Sequence, residues 1–181
     1  MATMDSLTGL SNRRGFELAA GRSIEICERV QAPVALWYLD LDNLKLTNDN
    51  HGHAAGDRML AAFADALRRT FRASDIVARV GGDEFCVLMA PRAQPDLGSL
   101  RERLRVQSEI VSEQLKLPEP LSFSVGEALR SSASNGCVAD LMREADQAMY
   151  AEKHSRRLSG VRRLHLPDSV AVAGQRMSKE G

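Results

Sequence analysis

Apolar positions recur every three or four residues between Asn12 and Val30. Phe16, Ala20, Ser23, Cys27 and Val30 share that spacing and Pro33 follows, which predicts a helix. Val34 to Leu39 is a short unbroken apolar run between Pro33 and Asp40, the signature of a buried strand. A polar stretch occupies Asn43 to Gly56. Leu60, Phe63, Ala64 and Leu67 then fall at i, i+3, i+4 and i+7, the stripe of a core-facing helix. Ile76 to Val80 and Phe85 to Ala90 flank Gly81-Gly82 and predict an antiparallel hairpin closed by Pro91. Leu100, Leu104, Val111 and Leu115 mark a further helix. Leu121 to Leu129 alternates around Phe123 and Val125 and predicts a strand. Asn135-Gly136 is a turn signal. Leu141, Ala145, Ala148 and Met149 are the apolar face of a last helix, and Val161 to Leu166 predicts a short final strand. This order predicts an α/β (α+β) domain: a mixed sheet that contains an antiparallel hairpin and is flanked by helices. The domain is expected over 1–166, with a flexible tail over 167–181, small and polar after Pro167.

A length of 181 residues suits one domain with its own core. Lys plus Arg total 24 and so do Asp plus Glu, giving no net charge. A grip on a nucleic-acid polymer needs a basic excess, so that partner class is set aside. The apolar runs fall far short of the ~20 residues of a membrane span, and no signal peptide is visible. The expected setting is cytoplasmic, with no direct membrane contact from this segment. Cys27, Cys86 and Cys137 are odd in number and widely spaced, which suits small buried side chains in a reducing compartment. His51 and His53 lack nearby soft ligands and are expected to be loop residues, not a metal pair.

Three clusters could carry chemistry. Asp40-Leu41-Asp42 ends the strand that begins at Val34, where α/β sheets present functional groups. With Lys45 beyond, these carboxylates suit a hard cation and a phosphate; the plain alternative is a solvated turn. Gly81-Gly82-Asp83-Glu84 sits at the hairpin turn. Glycine there supplies positive φ and lets a ligand approach the backbone, and adjacent acids gain from a divalent cation; the alternative is an ordinary charged turn. Lys153, Arg156, Arg157, Arg162 and Arg163 form a basic cluster, either a solvated helix end or a phosphate-neutralising one. Carboxylates from two strand ends plus a basic cluster are what metal-assisted nucleotidyl transfer requires. The residues alone therefore point to a Mg²⁺-dependent nucleotide enzyme.

Four collinear segments carry a more specific resemblance: Gly81-Gly-Asp-Glu-Phe85, the opening Asp5 to Glu17 (DSLTGLSNRRGFE), Asp40 to Asp57 (DLDNLKLTNDNHGHAAGD) and Ala145 to Arg157 (ADQAMYAEKHSRR). Together the chain resembles the GGDEF family of diguanylate cyclases from Asp5 to Arg157. The resemblance implies a five-stranded sheet like the nucleotidyl-cyclase palm, and condensation of two GTP into cyclic di-GMP and two pyrophosphates. It implies that Asp40, the Leu41 carbonyl, Asp83 and Glu84 hold Mg²⁺ (or Mn²⁺), with Asp83 and Glu84 also catalytic. Glu84, or a metal-bound water beside it, would help deprotonate the ribose 3′-hydroxyl. Gly81 and Gly82 would make room for GTP; Asn48 and Asp57 would read guanine, with Leu60 lining the pocket. Lys45, Lys153 and Arg157 would meet the phosphates. Asp57 accepts from guanine N1–H and N2–H₂, donors that adenine lacks there, so it favours GTP over ATP.

Arg72-Ala-Ser-Asp75 resembles the family's RxxD site, where cyclic di-GMP inhibits; its plain alternative is a surface ion pair. Arg103 is a further candidate there. Three positions depart from the family pattern: Leu44, Thr47, and Arg156 in place of a glycine. Each domain would hold one GTP, so catalysis implies a homodimer. The alternative function is a non-catalytic sensor of cyclic di-GMP or GTP. Because the first motif starts four residues into the chain, a fragment of a longer, sensor-bearing protein is expected.

Overall fold

The structure, a computed structural model, describes residues 2–89, 96–131 and 137–163, with side chains in the last stretch through Arg156. Among the described residues the elements run in the order α1 (Arg13–Arg29), β1 (Val34–Leu41), α2 (Leu44–His51), α3 (His53–Thr70), β2 (Ile76–Arg79), β3 (Glu84–Met89), α4 (Leu97–Gln114), β4 (Phe123–Arg130) and α5 (Val138–Arg163). Asn12 caps α1, its side chain accepting from the Gly15 amide.

The strands lie in the order β2-β3-β1-β4. Both helical crossovers skip one position. The α2–α3 connection sets β2 parallel to β1, and the hairpin returns β3 into the gap between them; α4 likewise sets β4 on the far side of β1 from β3. This is the split βαβ arrangement. The expected mixed sheet therefore has antiparallel neighbours throughout, because each parallel pair is separated by a strand running the other way.

Alternation along β1 divides the core in two. Ala35, Trp37, Leu39 and Leu41 face α3 and α4, whereas Val34, Leu36 and Tyr38 face α1 and α5. Phe63 of α3 meets Phe85 edge-on, their centroids 5.0 Å apart. Gly126 of β4 admits α5 at backbone contact: a Cβ there would lie 2.0 Å from the Ala145 carbonyl oxygen.

Several expectations change. The final strand expected over Val161–Leu166 does not begin where expected, because 161–163 continue α5; 164–166 lie outside the described residues, as do the 167–181 tail and the Asn135-Gly136 turn. Along β4 the Phe123 and Val125 carbonyls accept from the guanidiniums of Arg156 and Arg101. Cations bonded to edge carbonyls discourage strand addition there. Within the polar stretch Asn43–Gly56, α2 forms, and His51 and His53 sit at helix ends rather than in a loop. Helix stripes end early. Val30, Leu115 and Ala148 are exposed, and Ile24 and Met142 take core positions instead. Cys27 and Cys86 are buried, but Cys137 is exposed; it lies beside the first turn of α5 and bonds Asp140.

Candidate active site

Strand parity builds the acidic wall. Asp40 continues the row of Leu36 and Tyr38, so it faces α5. The register sets Asp40 opposite Glu84 on β3 and opposite Ser124 on β4. Two carboxylates paired across strands repel unless a cation joins them. In α5, Lys153 meets that need: its Nζ lies 2.6 Å from Asp40 Oδ1. Burial holds the Asp40 carboxyl above its ordinary value, and Asp83 and Asp42 push the same way, against the Lys153 bond. The wall therefore has charge to spare for a further cation.

The turn after β2 is clamped from outside the hairpin. The Glu84 carbonyl accepts from the Val80 and Gly81 amides, and the Leu41 amide donates to the Asp83 carbonyl. Arg79 forks onto the Gly82 carbonyl through Nε (3.1 Å) and Nη2 (2.7 Å), while its Nη1 reaches Asp5 at 3.3 Å. Asp5 in turn accepts from the Thr8 amide and hydroxyl. The N-terminal loop thus holds the acidic turn through one arginine. Neither turn glycine adopts the left-handed region, contrary to expectation; among the described glycines only Gly9 and Gly52 do. At Gly81 a Cβ would lie 2.0 Å from a Glu84 carboxylate oxygen, so a side chain there would displace that carboxylate, whereas nothing lies within 4 Å at Gly82.

Two cavities meet at Lys153. The smaller, about 340 Å³, is lined by Asp40, Glu84, Asp146, Tyr150 and His154 as well as Lys153. The larger, about 660 Å³, includes Leu41, Asp42, Lys45, Asp83, Lys153 and Arg156 in its walls. It opens onto the start of α2, where Asn43 takes the left-handed conformation and no side chain caps the helix. Uncapped amides at a helix N-terminus, with Lys45 beside them, favour a phosphate.

A third group lies where α2 packs on α3. Asn48 Oδ1 is buried and has no hydrogen-bond partner among the described residues. It rests on Gly56, where a Cβ would be 2.0 Å away. Asp57 is exposed in the next position and Leu60 is buried one turn on. None of these three lines either cavity. Arg72 and Asp75 are elsewhere, in the turn between α3 and β2. The Asp75 carboxylate accepts from the Arg72 amide at 3.0 Å, and the Asp75 amide donates back to the Arg72 carbonyl. The expected alternative, an ion pair between the two side chains, is not formed. Arg103 donates to the Thr70 carbonyl at the end of α3, near that turn.

The structure therefore brings Asp40, Glu84 and Lys153 together, and joins Leu41, Asp83 and Lys45 to them across Lys153. Arg157 lies in α5 with its side chain outside the described ones. Sequence reasoning missed Arg79, Asp5, Tyr150 and His154. The last two stack at i, i+4 (centroids 5.6 Å apart), a spacing visible in the sequence; nothing local signals the Arg79 contact.

Among the described residues no three acidic, His or Cys side chains form a cation cage. That still fits Mg²⁺, which uses one or two carboxylates and completes its shell with water and substrate phosphate. Asp40 and Glu84, opposed across the strands in the wall of the smaller cavity, are such a donor set.

The family described as "Diguanylate cyclase, GGDEF domain" matches residues 2–159. Diguanylate cyclase TpbB of Pseudomonas aeruginosa is 37% identical over 169 residues, which cover 88% of this chain and 37% of that protein. Cyclic di-GMP phosphodiesterase NbdA of the same species is 35% identical over 164 residues, covering 84% and 19% respectively. The chain thus spans little more than a third of the length of these curated relatives at most. Among solved structures, the GGDEF domain of DgcB from Caulobacter crescentus, in complex with c-di-GMP, superposes with TM-score 0.75 at 28% identity, covering 86% of this chain and 92% of that one.

Proposed function

Because the chain belongs to the GGDEF diguanylate cyclase family, we propose that it condenses two GTP into cyclic di-GMP and two pyrophosphates across a homodimer. The observation that carries this reading is the opposed pair Asp40 and Glu84 in the wall of the smaller cavity, with Lys153, which bonds Asp40, shared with the larger cavity next to it. The uncapped start of α2, Lys45 and Lys153 bind the triphosphate. Bound Mg²⁺ (or Mn²⁺), held by Asp40, the Leu41 carbonyl, Asp83 and Glu84, would withdraw charge from the phosphates. Asn48 has a buried acceptor to offer a guanine donor, and Asp57 offers a carboxylate. Gly82 leaves its turn open to the nucleotide.

The 3′-oxygen of one GTP attacks the α-phosphorus held on the partner. The bond from that phosphorus to the bridging oxygen breaks, and pyrophosphate leaves. Glu84 receives the 3′-hydroxyl proton, directly or through water. Repeating the step in the other direction closes the ring. Each copy holds one GTP, so one chain is half a site.

Incubating concentrated protein with GTP and Mg²⁺ tests the reading. Cyclic di-GMP should rise faster than linearly with protein concentration, and Glu84→Ala should abolish it. Undiminished product from that variant would remove the acid's assigned role. The second reading is a non-catalytic sensor of cyclic di-GMP or GTP. It draws on the similarity to NbdA, which is named for the opposite activity. No product from wild-type protein fused at its N-terminus to a dimeric coiled coil would favour it.

A further inference from the structure

We propose that Arg156 is a polyphosphate-binding residue of this chain, gripping the β- and γ-phosphates beside Lys153. The proposal rests on the GTP-binding reading above and adds a residue to it. Arg156 stands where the family pattern has glycine, so no inherited role accounts for its side chain.

Its placement is specific. Arg156 follows Lys153 by three residues, which puts both on one face of α5. Both line the larger cavity, with Lys45 across from them at the start of α2. The guanidinium is anchored through one nitrogen. Nη1 donates to the Phe123 carbonyl at 2.8 Å, approaches Asp42 Oδ2 at 3.4 Å and Ser124 Oγ at 3.5 Å. Asp42 is itself fixed by the hydroxyls of Ser124 (3.0 Å) and Ser122 (3.3 Å). Strand end, carboxylate and helix thereby hold the fork in one orientation.

Nε and Nη2 carry no bond within the described residues. They form the edge of a guanidinium that binds a phosphate through two parallel hydrogen bonds. An arginine already anchored loses little conformational freedom when it makes them. Half of the Arg156 side chain remains exposed (51%), and the residue lines the larger cavity, where a ligand could reach it. Lys153, by contrast, is committed to Asp40 at 2.6 Å. Among the described residues, Nε and Nη2 of Arg156 thus add to Lys45 a pair of fixed donors left for phosphate.

The test is affinity resolved by phosphate count. The full chain is titrated with 3′-deoxy-GTP, which lacks the attacking hydroxyl and so cannot turn over, and with pyrophosphate and GMP, all with Mg²⁺. Arg156→Ala should weaken 3′-deoxy-GTP and pyrophosphate by about tenfold or more, the loss of a charge-assisted contact. GMP should bind as before, since it lacks the β- and γ-phosphates. Arg156→Lys keeps the charge without the fork and should recover part of the loss. Equal weakening of GMP would mean that Arg156 only braces α5 against β4, and would overturn the proposal. So would unchanged affinity for 3′-deoxy-GTP and pyrophosphate. Failure of the cyclase reading is separable: it would show as GTP bound by wild-type protein without product, while the phosphate-count comparison still decides the role of Arg156.

Discussion

Gly126→Ala tests whether the packing of α5 on β4 sets the geometry of the site. A Cβ at this position would lie 2.0 Å from the Ala145 carbonyl oxygen, 2.1 Å from the Met149 amide nitrogen and 2.7 Å from the Met149 Cα. All three are backbone atoms, so no side-chain rotation relieves the clash. Ordinary contact begins at 3.4 Å, so helix and strand must part by about 3.4 − 2.0 = 1.4 Å. Overpacking of this kind costs about 1–3 kcal/mol, and a rigid backbone places Gly126→Ala at the upper end. For a chain of this length that lowers Tm by roughly 5–10 °C. The displacement also reaches the chemistry, because Lys153 follows Met149 by one helical turn and bonds Asp40 at 2.6 Å. A misplacement of ~1 Å can cost about a hundredfold in rate. Thermal unfolding and GTP turnover, the latter measured well below the variant's Tm, should therefore both fall. Gly82→Ala is the stability control, because nothing lies within 4 Å of its Cβ position. An unchanged Tm for Gly126→Ala, or an equal fall in the Tm of Gly82→Ala, would refute the reasoning. Full activity at an unchanged KM would show that α5 tolerates the shift.

Two further outcomes follow from the outer parts of the molecule. Arg72→Ala should relieve inhibition by cyclic di-GMP and leave the KM for GTP unchanged, because the Arg72 side chain lies away from both cavities; unaltered inhibition would remove that turn as the product site. Burial raises the Asp5 carboxyl, but the Thr8 hydroxyl and amide and the Arg79 guanidinium outweigh it, leaving the group below its ordinary 3.8. A lowered folded value stabilises the protein above the unfolded value and loses that contribution as pH falls through the folded one. Asp5→Asn should therefore melt lower than wild type at neutral pH, and the gap should close as the solution is acidified below about 3.8; a gap independent of pH would show that the Asp5 charge contributes nothing.

Much of this was legible in the residues because the governing interactions are local. The run Val34 to Leu39 could only be a buried strand, and the i, i+3, i+4, i+7 stripe of α3 could only face a core. The acids were legible too, since two strand ends carrying carboxylates are conspicuous. The α2 helix was not: Leu44–His51 is polar, short and uncapped, and it is held by packing on α3. Stripe ends such as Val30 and Leu115 were misjudged for a related reason. The helix pattern continues past the point where the sheet beneath it stops, so the final apolar residue faces solvent.

By itself, the sequence determined most of the elements and their order, though not α2 or the run of α5 through Arg163, and the residue types that a nucleotidyl-transfer site needs. Periodicity and turn chemistry act over a few residues, so the chain displays them directly. Only the tertiary structure decided which charges meet. Asp40 faces Glu84 because of β-register, and Lys153 reaches them from 113 residues away along the chain. Arg79 joins the N-terminal loop to the acidic turn, and Arg156 is set on β4 and Asp42. Such contacts depend on the crossovers that skip a strand and on the closeness that Gly126 permits. Those are properties of packed layers, and no local stretch of sequence contains them.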